Sequence, residues 1–462
     1  MSLVSNILLQ ICEKFIGEVL GFLGEGQVRT IDEMEVSLKD KTDKFVLEMM
    51  NKYLEVLDQA IVNDKVNRKK KGIVVERRSE KREIYTQFGQ LEFQRSYFFD
   101  KKHQEYSYLL DKAVGLEGYE RITGTVTKEL VEHAGEASYG ESSRHVSGGE
   151  ISRQSVMKKV HSVKGLKIAA PAEKRQVRVL HVDADEDHVA LQDGSNTMVP
   201  LISIHEGVEK SGRRGRCKNI HHISSYSKST DELWLETAKW IDEAYEIDDV
   251  ERIYLHGDGA SWIKQGLSWL PNSKPVLDKY HLNRAIITAT GRQKEQRKEI
   301  YTALREGNKV LFKEIVGQLL VNAVTENELK RIKEFRQYIQ NNWDSIVIYS
   351  QEACGGSCAE GHVSHVLSSR LSSRPMGWSK AGLAAMSEIR AFCSNGGRIE
   401  VKHIKANKSL SYRLNKTLLA KVAKTFQRTA TEKLANLPAL SFGKVKPLYK
   451  SLRGLQNGQL AF

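Results

Sequence analysis

Cysteine is scarce and unpaired in this chain: Cys12, Cys217, Cys354, Cys358 and Cys393 are the five among 462 residues. An odd number with no regular spacing excludes the disulfide framework of a small secreted domain and predicts a reducing compartment. Cys354 and Cys358 are four apart, but no second pair stands at zinc-ligand spacing, so the sequence carries no zinc motif. Long apolar runs are also missing. Between Met1 and Gly24 the apolar stretches are broken by Glu13, Lys14 and Glu18, with no basic leader and no small-residue cleavage site. That segment predicts an amphipathic packing helix rather than a signal peptide or a membrane span, and the protein is expected in the cytoplasm with no membrane partner. Acid is in deficit, with 58 Asp and Glu against 71 Lys and Arg, a net charge of +13. Such a balance favours a polyanionic partner through long-range attraction and counterion release.

What remains is an ordinary globular composition, long enough for several domains. Residues 1–65 carry helical periodicity, with Phe45, Val46, Met49, Met50, Tyr53, Leu54 and Leu57 on one face. Within 66–170, a basic run at Asn67-Arg-Lys-Lys-Lys71 leads into alternating residues from Ile84 to Phe99 that predict a β-hairpin turning at Phe88-Gly-Gln90. Short helices follow. The last of them starts after Gly148-Gly149 and carries Arg153, Gln154, Ser155, Lys158 and Lys159, a helix-turn-helix-like pattern whose second helix would present Arg153, Lys158 and Lys159 to DNA. From 175 the period changes to that of strands: three in a row, then helix, strand, helix, strand and helix. This order predicts an α/β RNase H-like domain, a mixed sheet with flanking helices, in two parts at 175–294 and 351–442. The charged stretch 295–350 reads as an all-helical insertion, and 443–462 as a flexible basic tail.

Three acids stand out in this frame. Asp185 lies in the first strand, where period two puts Asp183 and Asp187 on the same face. Asp258 ends the short fourth strand, ahead of Gly259. Glu360 would open a helix after Gly355-Gly356, with Ser357 as its N-cap and Val363, Val366, Leu367 and Leu371 as its buried stripe. Singly, an Asp beside Gly is most often a turn former, and a Glu in a first helical turn often serves only the dipole. Together they suit a carboxylate cage for two Mg²⁺ or Mn²⁺ ions, because hard cations take oxygen ligands and a pair of them stabilises both oxygens of a phosphoryl transfer. Glu352 and Glu388 are rivals for the third place. Arg370 and Arg374 follow on the same helical segment and would receive phosphates. Trp262 and Trp378 read as core before base-stacking residues.

Four long motifs carry a resemblance. They are His181-Val-Asp-Ala-Asp-Glu-Asp-His-Val-Ala-Leu-Gln192, His256-Gly-Asp-Gly-Ala-Ser-Trp-Ile263, Leu277-Asp-Lys-Tyr-His-Leu-Asn-Arg-Ala285, and the run from Ala359 to Ser379. The chain resembles, over nearly its whole length, the ISLre-type insertion-sequence transposases, relatives of the Mutator-like superfamily. The resemblance implies a bacterial DDE transposase acting on double-stranded DNA at terminal inverted repeats and target. Asp185, Asp258 and Glu360 would hold the metals, and the freed 3′-hydroxyls would be joined to target DNA by an enzyme at least dimeric. The superfamily's pattern favours Asp185 over Asp183 through His188 and Val189. It also matches Asp278 and His281 to a motif after the second acid, expected to be bonded to each other near the site. The alternatives are a metal-dependent nuclease of similar fold and an inactive DNA-binding relic.

Overall fold

The computed structural model describes residues 3–24, 26, 28–211, 214–404, 412, 414 and 416–423. The tail expected over 443–462 lies outside them. The chain divides into two compact units, residues 1–127 with 405–462, and residues 128–404. The β-hairpin and the helix-turn-helix-like stretch, read from sequence as neighbours in one region, therefore fall in different units.

In the first unit α1 (Leu3–Gly24), α2 (Ile31–Asn63) and α3 (Lys65–Lys71) precede an antiparallel sheet of β1 (Ile73–Thr86), β2 (Gly89–Asp100) and β3 (Glu105–Ser107), followed by α4 (Leu109–Val114). A reciprocal capping box starts α2. Thr30 Oγ1 accepts from the Glu33 N–H at 3.2 Å, and Glu33 Oε2 accepts from the Thr30 N–H at 3.0 Å, satisfying two donors that a helix start leaves bare. Leu54, Leu57 and Ile61 of α2 join Ile84, Leu91, Phe93 and Phe98 of the hairpin in one core. Tyr53, expected on that face, is exposed. Thr86 pairs with Gly89, so Gln87 and Phe88 make the turn, slightly earlier than the sequence suggested. The basic run mostly forms α3, which ends at the left-handed Gly72. Arg68 in it is buried, donating to the carbonyls of Ile61, Val62 and Ile73.

The second unit begins with the last turns of α5 (Gly124–Glu136), then α6 (Tyr139–Ser147) and α7 (Arg153–His161). Its centre is a five-stranded mixed sheet of β4 (Val179–Ala190), β5 (Asn196–His205), β8 (His221–Ile223), β9 (Arg252–Gly257) and β10 (Ser273–Leu277), in the order β10-β9-β4-β5-β8. β9 runs parallel to both β4 and β10, and β5 is antiparallel to β4 and β8. A small hairpin, β6 (Val208–Ser211) with β7 (Arg214–Cys217), stands between β5 and β8. The sequence did not foretell it, because its Gly- and Arg-rich residues lack the apolar alternation that marks a strand. On one face of β4, Leu180, Val182 and Ala184 pack with Leu233, Trp234 and Ile241 of α8 (Thr230–Ala244). Period two then turns His181, Asp183, Asp185 and Asp187 to the other face.

After β9 comes the short α9 (Ser261–Gln265), and after β10 comes α10 (Lys279–Thr290). The expected insertion is helical throughout: α11 (Lys294–Arg305), α12 (Lys309–Val321), α13 (Glu326–Asn341) and α14 (Trp343–Gln351). Ile300, Phe312, Leu319, Phe335 and Ile339 build its interior, continuous with Leu282 and Ile286 of α10. The chain then returns to the sheet through α15 (Ala359–Val363), a π-helical turn (Ser364–Ser368) and α16 (Ser369–Leu371), and closes the unit with α17 (Lys380–Ser394) and α18 (Val401–Ile404).

Candidate functional site

Adjacent parallel strands bring the first two acids to one edge. Asp183 on β4 pairs with His256 on β9, and a Cβ at Gly257 would lie 3.1 Å from the Ala184 carbonyl. Asp258 thus follows the end of β9 on the side where β4 carries on through Asp185, and both acids act on the His281 ring. Asp258 Oδ1 accepts from the Ala260 N–H at 2.8 Å, and its carbonyl accepts from the Tyr338 hydroxyl at 2.8 Å. Gly259 takes φ +91° against Asn342, whose Oδ1 a Cβ would meet at 2.5 Å. The turn that follows the acid therefore has no room for a side chain.

The three acids on the face of β4 have different employment. Asp183 is buried; its Oδ2 accepts from the Cys358 N–H at 3.0 Å and lies 3.3 Å from His205 Nε2 and 3.5 Å from His362 Nδ1. Burial alone would push its carboxyl up, but contact with His205 and the nearby His256 and His362 rings outweigh that and hold it well below the usual range. Asp187 Oδ1 accepts from Ser368 Oγ at 2.9 Å and Ser372 Oγ at 2.8 Å. The outer pair thus ties the segment bearing Glu360 onto β4. Asp185, between them, has only one hydrogen bond among the described residues, from the Glu186 N–H at 2.9 Å. Burial pushes its carboxyl up to about 6, with Glu186 and Glu360 adding to the rise and the Glu186 N–H and His281 opposing it.

Glu360 is exposed and makes no hydrogen bond or ion pair among the described residues, yet lies close enough to Asp185 to raise it. The stripe expected behind it is in place, with Val363, Val366, Leu367 and Leu371 all buried. Ser357 Oγ accepts from the Ala359 N–H at 3.0 Å, although the cap position itself is Cys358. The rivals are committed elsewhere. Glu352 bonds Tyr254 and Lys274, and Glu388 accepts from Ser225 Oγ at 2.7 Å.

Asp278 and His281 are bonded as expected, Oδ2 to Nδ1 at 3.1 Å, and Asp278 also caps α10 by accepting from the Tyr280 and His281 N–H groups. The Asp278 contact raises the imidazole pKa, burial lowers it, and the charges of Asp185, Asp278 and Asp258 add to the rise. His281 therefore stands among the acids. A cavity beside Asp258 and His281 is lined by Arg284, Thr288, Arg331 and Tyr338; the two arginines were not singled out from the sequence, where nothing sets them apart from other surface cations.

The expected DNA contacts separate. Arg153 and Lys158 are exposed on α7, with Lys159 half-buried, and Arg374 is exposed. Arg370 departs from expectation. It is buried, stacks over Trp378 with its carbon 4.8 Å from the ring centre, and donates from Nε to the Ala134 carbonyl at 2.8 Å. Its neighbour in space, Arg390, donates to the carbonyls of Gly135, His365 and Val366. Both guanidiniums serve backbone carbonyls that the end of α5 and the π-helical turn leave without helical partners. Arg370 is thus a structural cation, unavailable to phosphate. Trp378 is core, its Nε1–H donated to the Leu371 carbonyl, and Trp262 is half-buried with its Nε1–H on Glu186.

Comparison with known proteins gives a family and no activity. A family model described as an uncharacterised protein family (UPF0236) matches residues 26–408. A UPF0236 protein of Caldanaerobacter subterraneus subsp. tengcongensis is 39% identical over 435 residues, 93% of this chain and 92% of that protein. A second from the same strain is 37% identical over 462 residues, 98% of each. A protein of Streptococcus gallolyticus named for the vanSb 3′ region is 24% identical over 385 residues, 79% of this chain and 83% of its own length. The Caldanaerobacter relatives are paralogues, and the name of the first joins eleven locus labels of one strain.

Proposed function

The chain belongs to the UPF0236 family, and we propose that it is the transposase of a bacterial insertion sequence, cutting DNA at the element's ends and joining the 3′-hydroxyls to a target. The observation that carries this reading is that Asp185 on β4 feels the charge of Glu360 and shares His281 with Asp258, which follows the adjacent parallel strand β9, while among the described residues each of the three acids keeps a carboxylate oxygen without a hydrogen-bond partner. The sheet order supports an RNase H-like core: numbered by sequence its strands run 3-2-1-4-5, with only the second antiparallel to the rest. A protein whose name carries eleven loci of one strain is what a DNA segment that multiplies within a genome would leave behind, and the net charge of +13 suits a DNA substrate.

The oxygen-only donor set fits Mg²⁺ or Mn²⁺, and the burial-raised Asp185, without a cationic side chain bonded to it, is the kind of carboxylate a divalent cation relieves. Asp185, Asp258 and Glu360 would hold two such ions, which supply charge stabilisation at the attacking and leaving oxygens. The chain's own residues do the rest. Arg284 and Arg331 would receive backbone phosphates in the cavity beside Asp258. His281, oriented by Asp278, would donate a hydrogen bond toward the reacting phosphate. Asp183 and Asp187 keep Glu360 in reach. Cutting both ends together requires at least a dimer on DNA.

The test is a strand-transfer reaction on DNA carrying the element's terminal inverted repeats. Joined product is expected with Mg²⁺ or Mn²⁺. Cleavage with no joined product would favour a nuclease, and neither would leave a DNA-binding relic. Asp258→Asn should abolish both steps with end-binding and folding retained; cleavage that survives it would sink the carboxylate assignment.

A further inference from the structure

Two cysteines and a histidine outside the carboxylate cage form a second constellation. Cys217 ends β7, while Cys358 and His362 stand four apart at the start of α15 and so share one face of the helix. Cys217 Sγ is 3.5 Å from His362 Nε2, and the three donor atoms, Cys358 Sγ included, lie within 4.8 Å of one another. Around a tetrahedral zinc ion with bonds of about 2.0–2.3 Å, donors stand about 3.5–4 Å apart, so small side-chain rotations suffice to close the site. All three residues are half-buried.

A second observation points to a cation. With Nε2 turned to the thiols, the other ring nitrogen of His362 faces the buried Asp183 at 3.5 Å and has no hydrogen-bond partner among the described residues. A carboxylate behind the far nitrogen is how metal-ligating histidines are oriented and made more basic. The same carboxylate accepts the Cys358 N–H, so it aligns two of the three donors.

The geometry points to a zinc site at Cys217, Cys358 and His362 that clamps the β6–β7 hairpin to the helix bearing Glu360. Loading releases the thiol protons to solvent, and the fourth position is left to water. Glu360 lies two residues from each helical ligand, roughly 200° around the axis from either, so the zinc and the carboxylate cage occupy opposite sides of α15. Soft sulfur donors on one side and hard oxygens on the other keep the two metals apart by chemistry.

The experiment uses the full chain, expressed with zinc, dialysed under reducing conditions and analysed by plasma mass spectrometry, then stripped and titrated with Co²⁺ alone. About one zinc per chain and a thiolate-to-cobalt absorption band are expected. The Cys217→Ser/Cys358→Ser double variant should lose both, with zinc content falling at least about tenfold. Because that variant could misfold, His362→Cys serves as the companion: it should keep zinc and strengthen the cobalt band through a third sulfur. Wild-type protein that binds no zinc, a double variant that retains it, or a Cys217–Cys358 disulfide with no metal uptake after reduction would each overturn the site. Zinc content should be unchanged in Asp258→Asn, which separates this outcome from the fate of the transposase reading.

Discussion

At the scale of single residues, the face of β4 shows why a sequence motif under-determines its own chemistry. Period two places Asp183, Asp185 and Asp187 together, and nothing local distinguishes them. Their partners do, and those partners, Cys358, Ser368 and Ser372, lie 175 to 185 residues along the chain. The repeat Leu367-Ser-Ser-Arg370, Leu371-Ser-Ser-Arg374 was a usable signal for the Asp187 contacts, since residues four apart share a face. The contrast makes a prediction. Asp185 has a folded pKa of about 6, above the ordinary carboxylate value, so the folded state keeps a proton that the unfolded chain releases. Without divalent cations, stability should therefore fall as pH rises from about 4 to about 6 and stay low above it. Asp185→Asn should flatten that limb and raise cation-free stability at pH 7–8 by about 1–2 kcal/mol while ending cleavage. Urea unfolding midpoints across the pH range check it, and a variant less stable than wild type at pH 8 would count against the assignment.

At the scale of elements, helix and strand types were legible from periodicity, while the parallel pairing of β4 with β9 is a matter of strand order that no local pattern shows. The β6–β7 hairpin and the π-helical turn were not legible, because both depend on backbone partners rather than on apolar pattern. In the turn after α15, Arg390 donates to the His365 and Val366 carbonyls. Arg370→Ala and Arg374→Ala, alike in the sequence, should consequently differ in kind. The first removes a buried donor from the Ala134 carbonyl and a guanidinium stacked on Trp378, and should cost about 2–4 kcal/mol in denaturant unfolding. The second should leave stability within about 0.5 kcal/mol and weaken DNA binding. Equal stability losses in the two variants would contradict this division.

At the scale of the whole chain, the basic composition leads to the expectation of a polyanionic partner, whereas the division into units at residues 127 and 405 does not show in it, since no proline- or glycine-rich linker marks either place. If backbone phosphates dominate binding, the logarithm of the association constant should fall linearly with the logarithm of salt concentration, by about 0.9 for each phosphate neutralised. Arg374→Ala should shallow that slope by about one phosphate, measured by anisotropy titrations at several salt concentrations. An unchanged slope would place Arg374 off the DNA. The helical insertion has a further consequence, one of timing. Ser372 must reach back 185 residues to Asp187, across four helices with an interior of their own. A chain emerging from the ribosome therefore displays its first two acids long before the third exists, and contacts so distant in sequence form slowly. Until Glu360 has been made, the nascent chain lacks the third carboxylate, and on the proposed function it could not yet cut DNA.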